Sequence, residues 1–75
     1  MSIKAKLKPG VRVVVWISQR DDVREGDGGT VIAIRPNYQS TDTCYLDVIL
    51  DTGIRMGNYH SGTFKLEEDW HRARR

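Results

Sequence analysis

Apolar positions fall at strand spacing along most of this chain. Lys8-Pro9-Gly10 is a turn signal, and it hands over to the β-branched run Val11-Arg12-Val13-Val14-Val15-Trp16-Ile17. On a pleated strand Val13, Val15 and Ile17 share one side, and Val14 and Trp16 share the other. Ser18 to Gly29 is polar and predicts a long exposed loop closed by a glycine turn at Gly28-Gly29. Thr30 to Ile34 is a second β-branched run, stopped by Pro36. After the polar connection 37–43, Cys44 to Leu50 alternates: Cys44, Leu46, Val48 and Leu50 on one face, Tyr45, Asp47 and Ile49 on the other. Asp51-Thr52-Gly53 reads as a hairpin turn, because Asp and Gly tolerate the positive φ such turns need. Ile54 to Tyr59 is the return strand, His60 to Gly62 turns again, and Phe64-Lys65-Leu66 closes the series. Glu67 to Arg74 has room for only a turn or two of helix.

Five short strands with polar loops predict an all-β fold in which a small five-stranded sheet closes into a barrel, since closure removes exposed edges. The expected layout is a basic N-terminal segment at 1–8, the barrel at 9–67 and a charged C-terminal tail at 68–75. Phe64 and Tyr59 are assigned to the core.

The order of long first loop, Gly29-Thr30-Val31, hairpin and short last strand resembles the SH3-like small barrels, including KOW and Tudor-type modules. Pro9-Gly10-Val11-Arg12-Val13 ahead of that glycine is similar to how many of them begin. Val48, Asp51, Gly53, Tyr59, Gly62, Phe64 and Leu66 also fall at spacings similar to the Mind-bomb-type subgroup, with its V-x-V-x-W-D-x-G, Y-x-x-G and closing D-L. Leu50 stands where that pattern has tryptophan, Lys65 where it has aspartate, and Leu46 where it has the first valine. The resemblance implies an SH3-like barrel with a long first loop and short basic termini. It also implies a recognition module rather than an enzyme, its relatives variously binding peptides, proteins or nucleic acids.

Composition narrows the field. Seventy-five residues suffice for one small domain, and the net charge of +2 excludes a polycationic nucleic-acid wrapper. The longest apolar run, Val13 to Ile17, is too short for a bilayer, so no membrane association is expected. One cysteine, Cys44, allows no internal disulfide and no cysteine zinc cluster. With no export signal, a cytoplasmic location is expected.

The chemically tempting strings have plainer readings. Asp51-Thr52-Gly53 matches the acid string of aspartic proteases, but one copy needs a symmetric dimer to supply the second carboxylate. Gly26-Asp27-Gly28-Gly29 lacks the Lys-Ser/Thr and the helix of a phosphate loop. Asp21, Asp22, Glu25 and Asp27 do not follow the spacing of a calcium loop. His60, His71 and Cys44 match no zinc finger, and a Cys44–His60 nucleophilic pair needs the strands to bring them together. No catalytic residue, metal or cofactor is expected.

The aromatics and charges carry the functional expectation. Trp16, Tyr38 and Tyr45 are surplus to a small core and mark a surface for a protein partner, with Asp21 and Asp22 adding electrostatic complementarity. The plainer reading of Trp16 is that a flanking segment, such as the tail carrying Trp70, covers it. All ten acids lie between residues 13 and 71, whereas 1–12 carry Lys4, Lys6, Lys8 and Arg12, and 72–75 carry Arg72, Arg74 and Arg75. With first and last strands side by side, these ends make one basic pole. The leading expectation is therefore a protein-interaction module, an adaptor or an inhibitor of a larger protein, acting as monomer or homodimer. The alternative is RNA or single-stranded DNA held by Lys4, Lys6, Lys8, Arg72, Arg74 and Arg75, with Tyr59 or Trp70 stacking on a base.

Overall fold

The computed structural model describes residues 6–73. Five antiparallel strands form one sheet: β1 (Arg12–Val15), β2 (Gly28–Pro36), β3 (Cys44–Leu50), β4 (Arg55–His60) and β5 (Phe64–Leu66), in the order β4-β3-β2-β1-β5. A 3-10 turn, Ser61–Thr63, leads from β4 to β5, and a short helix, α1 (Glu67–Ala73), continues from β5. Lys4, Arg74 and Arg75 lie outside the described residues.

β3 and β5 occupy the spans their apolar pattern predicts, and β1 and β5 are neighbours. β1 is shorter than expected. The amides of Trp16 and Ile17 both donate to the Thr63 carbonyl, at 2.8 and 3.2 Å, where the chain bends out of the sheet. Ile17 is exposed as a result, rather than sharing the buried side of Val13 and Val15. The glycine turn expected at Gly28-Gly29 is also corrected, since both residues belong to β2. Gly29 lies between Val13 and Leu50, where an added Cβ would fall 2.8 Å from the Ile49 carbonyl oxygen and 2.8 Å from Val48 Cγ1. Only a residue without a side chain allows that approach. The turn itself sits two residues earlier, at Gly26 with φ 95°, where the Asp27 amide donates to the Arg24 carbonyl and the Arg24 amide to Asp27 Oδ2.

One core collects side chains from every strand. Residues opposite one another share a face, so Leu66, Val13, Gly29 and Leu50 form one inward row and Val31, Val48 and Met56 another. Val15, Cys44, Leu46 and Phe64 complete it, with Tyr59 packed half-buried at its margin. Two residues outside the sheet join them. Leu7 comes from the N-terminal segment, and Val23 from the β1–β2 loop, which Ser18 Oγ secures by donating to the Val23 carbonyl. Val14 is buried on the opposite side, where α1 packs across β1 and β5.

Two register shifts flank one residue. Between the pairs Val31–Val48 and Ala33–Asp47, β2 carries Ile32 as an extra residue. Between Leu46–Tyr59 and Val48–Met56, β4 places Gly57 and Asn58 against the single residue Asp47. Asn58 has φ 60°, the left-handed conformation that bulges often require.

Candidate functional site

Two outward aromatic pairs stand on different parts of this scaffold. The first is built from the start of the β1–β2 loop, β5 and α1. Trp16 and Trp70 meet edge to face, with centroids 5.8 Å apart and planes at 78°. Lys65 Nζ lies 3.8 Å from the centroid of the Trp16 ring, a cation–π contact. Trp70 in turn lies over Gly26, where an added Cβ would meet its Cζ2 at 3.4 Å. The tail thus covers Trp16 only in part, and the residue remains 41% exposed beside exposed Ile17. Buttressing fixes the ring without hiding it.

The β1–β2 loop next to this pair carries the acidic residues. Asp22 takes a bidentate pair of bonds from Arg20, at 2.9 and 2.6 Å, and this holds its carboxyl below the ordinary carboxylate range. Arg20 also donates through Nη1 to the Arg55 carbonyl, so the loop folds across β4. Asp21 and Glu25 are exposed on the same loop.

Tyr38 and Tyr45 belong to a different region. The β1–β2 and β2–β3 loops leave β2 at opposite ends, and Tyr38, 94% exposed, sits on the second. Asn37 Nδ2 donates to Thr43 Oγ1 at 2.9 Å across the base of that loop. Tyr45 is half-buried on the outer face of β3, in register with Arg35 on β2 and His60 on β4. Its ring meets His60 edge to face, with centroids 5.7 Å apart. The five residues expected to form one partner site are therefore divided by topology, with Trp16, Asp21 and Asp22 on one loop and Tyr38 and Tyr45 at the far end of β2.

Beside Tyr45 lies a group that strand patterning alone does not reveal. Asp47, its side chain only 4% exposed, takes bonds from Arg35 Nη1 and Nη2 at 2.6 and 2.8 Å and from the Asn58 amide at 2.7 Å. Arg55 Nη2 stands 3.6 Å from its other oxygen. Chiefly through Arg35, then through the Asn58 N–H, the carboxyl is pulled down to about 2. One buried carboxylate thus fixes two arginines and the β4 bulge together.

Arg12 shows the reverse balance. It bonds both oxygens of Asp51, at 2.7 and 2.6 Å, and Glu67 at 3.0 Å. Asp51 first, then Glu67, raises its guanidinium pKa further, and Arg12 lowers that of Asp51. The β3–β4 turn and α1 are thereby tied to β1. An open depression of about 400 Å³ beside it is lined by Lys6, Val11, Leu66, Glu67 and Glu68. The basic ends meet acids of α1: Lys6 stands 3.5 Å from Glu68, and Arg72 3.4 Å from Asp69. Lys8 is exposed, Trp70 faces Trp16, and Tyr59 packs toward the core.

The strings weighed for chemistry take ordinary structural places. Asp51 sits in the hairpin turn closed by the Gly53 amide on the Leu50 carbonyl. Cys44 faces the core, whereas His60 lies on the outer face beside Tyr45. Among the described residues, no group of three His, Cys, Asp or Glu side chains could hold a metal ion, and no helix is long and apolar enough to cross a membrane. In comparisons with known proteins, no family model, no curated protein and no solved structure matches the chain.

Proposed function

We propose that this chain is a small SH3-like β-barrel acting as a non-catalytic protein-binding module, with Trp16 at the centre of its docking surface. The barrel reading is supported by a five-stranded meander in which β5 returns to pair with β1, and by a single core fed from both edge strands. The binding reading rests on one observation: Trp16 is held from two sides, by Trp70 and Lys65, yet stays partly exposed. A large side chain ordered before binding loses little entropy when a partner covers it, which is how tryptophan serves as an interface anchor. Ile17 extends the apolar area, and Asp21 and Glu25 on the adjoining loop favour a partner with an apolar anchor and a basic rim.

The test is capture of the partner by the wild-type chain and by Trp16→Ala, after nuclease treatment. Loss of an interface anchor lowers affinity by about 30-fold or more. The variant should keep the wild-type circular dichroism while losing the partner. Equal capture by a folded Trp16→Ala protein overturns the assignment.

A further inference from the structure

The outer face of β2, β3 and β4 has features that the Trp16 surface does not use. Arg35, Tyr45 and His60 stand directly opposite one another on three neighbouring strands. Arg35 and Arg55 converge on one carboxylate, Asp47, so this group keeps a surplus positive charge. Their side chains are 50% and 65% exposed, whereas that of Asp47 is almost wholly covered. A ligand approaching this face meets guanidinium groups, with the compensating anion beneath them. Arg20 and Asp22 nearby are paired with each other and add no net charge.

The row also offers rings and donors. Tyr45 and His60 fix each other in perpendicular planes. His60 Nδ1 accepts a bond from the Gly62 amide at 2.9 Å, which leaves Nε2 as the ring's donor. Tyr38, on the loop joining the strands of Arg35 and Tyr45, adds an exposed ring at the same end of the sheet. Planar guanidinium forks suit phosphate oxygens, and the exposed Tyr38 ring with the half-buried Tyr45 ring suits bases, which all have a π-face. An acidic peptide would use the arginines and leave the rings idle.

We propose that this face binds single-stranded nucleic acid, with Arg35 and Arg55 holding phosphate and Tyr45 and Tyr38 stacking on bases. It is a site separate from the Trp16 surface, and either can fail without the other. The probe is a labelled oligouridine of about 12 nucleotides, titrated by fluorescence anisotropy from about 50 mM salt upward. Saturable binding that weakens steeply with salt is expected. Arg55→Gln and Tyr45→Leu should each weaken it about tenfold, and Arg55→Gln should also lower the salt slope by about one. Tyr38→Ala should weaken it several-fold in a protein whose melting temperature is unchanged, because that ring makes so little contact with the fold. Three results overturn the proposal: no binding at the lowest salt, affinity unmoved by Tyr45→Leu and Tyr38→Ala together, or a polyglutamate peptide of matched length binding as tightly.

Discussion

The two aromatic pairs of this small protein are alike in geometry and opposite in electrostatic setting. Trp16 with Trp70 and Tyr45 with His60 are both edge-to-face contacts with a cation close by, Lys65 in the first and Arg35 in the second. Around Trp16 the loop carries Asp21 and Glu25, with Asp22 paired to Arg20, and α1 opens with Glu67, Glu68 and Asp69. Around Tyr45, two arginines share one buried carboxylate. An edge-to-face contact fixes an aromatic in place equally well in either setting, so the surrounding charge decides what it is suited to bind. Arg12, held by two carboxylates, and Asp47, held by two arginines, show the same contrast within one sheet face. The first cluster is saturated and ties elements together, while the second keeps charge to offer.

The largest expected effect strikes both surfaces at once. Gly29→Ala puts a methyl group against the backbone oxygen of Ile49, which cannot yield as a flexible side chain would. The cost is about 3 kcal/mol, large for a domain of this size. A thermal melt should show it, together with loss of binding at both surfaces. A melting temperature equal to wild type would mean that β1, β2 and β3 do not approach as closely as described.

A more selective break is made at Asp47. Its folded pKa is lowered to about 2 against roughly 3.9 for a free aspartate, so its contribution to stability is complete above about pH 4. It is lost as the pH falls toward 2. Acid titration of the fold should therefore show a loss of stability in that window, and Asp47→Asn should flatten it while lowering stability at neutral pH. The variant should disturb the Tyr45 side and leave partner capture through Trp16 unchanged. An identical acid profile in wild type and Asp47→Asn would contradict the clamp.

The smallest effect concerns the bulge that supports that clamp. Asn58 adopts φ 60°, so Asn58→Ala should cost about 1 kcal/mol, and Asn58→Gly should stay within a few tenths of the wild type. Equal melting temperatures for the two variants would remove the left-handed conformation as the reason for asparagine there.

Much of the sheet was legible because burial on one face writes itself as alternation. Cys44 to Leu50 and Phe64 to Leu66 could be placed to the residue for that reason. Gly28 and Gly29 misled, because glycine signals a turn locally, whereas here the close approach of neighbouring backbone demands it inside a strand. Trp16 could be singled out from its position and the tail carrying Trp70 named as its cover, but that the cover is only partial required the path of α1. Asp47 carried no usable signal. Its role depends on Arg35, Arg55 and the Asn58 amide, which are brought together only by two register shifts across three strands. Charge balance read by segment likewise missed that Lys6 and Arg72 face acids of α1.

The most direct test of the central claim is a parallel capture from nuclease-treated lysate with wild type, Trp16→Ala and Tyr45→Leu, each first shown to be folded. Wild type and Tyr45→Leu should retain the same protein partner, and Trp16→Ala should lose at least about nine-tenths of it. Retention by Trp16→Ala, or loss by Tyr45→Leu instead, would contradict the assignment of the protein-binding surface to the Trp16 side of the molecule.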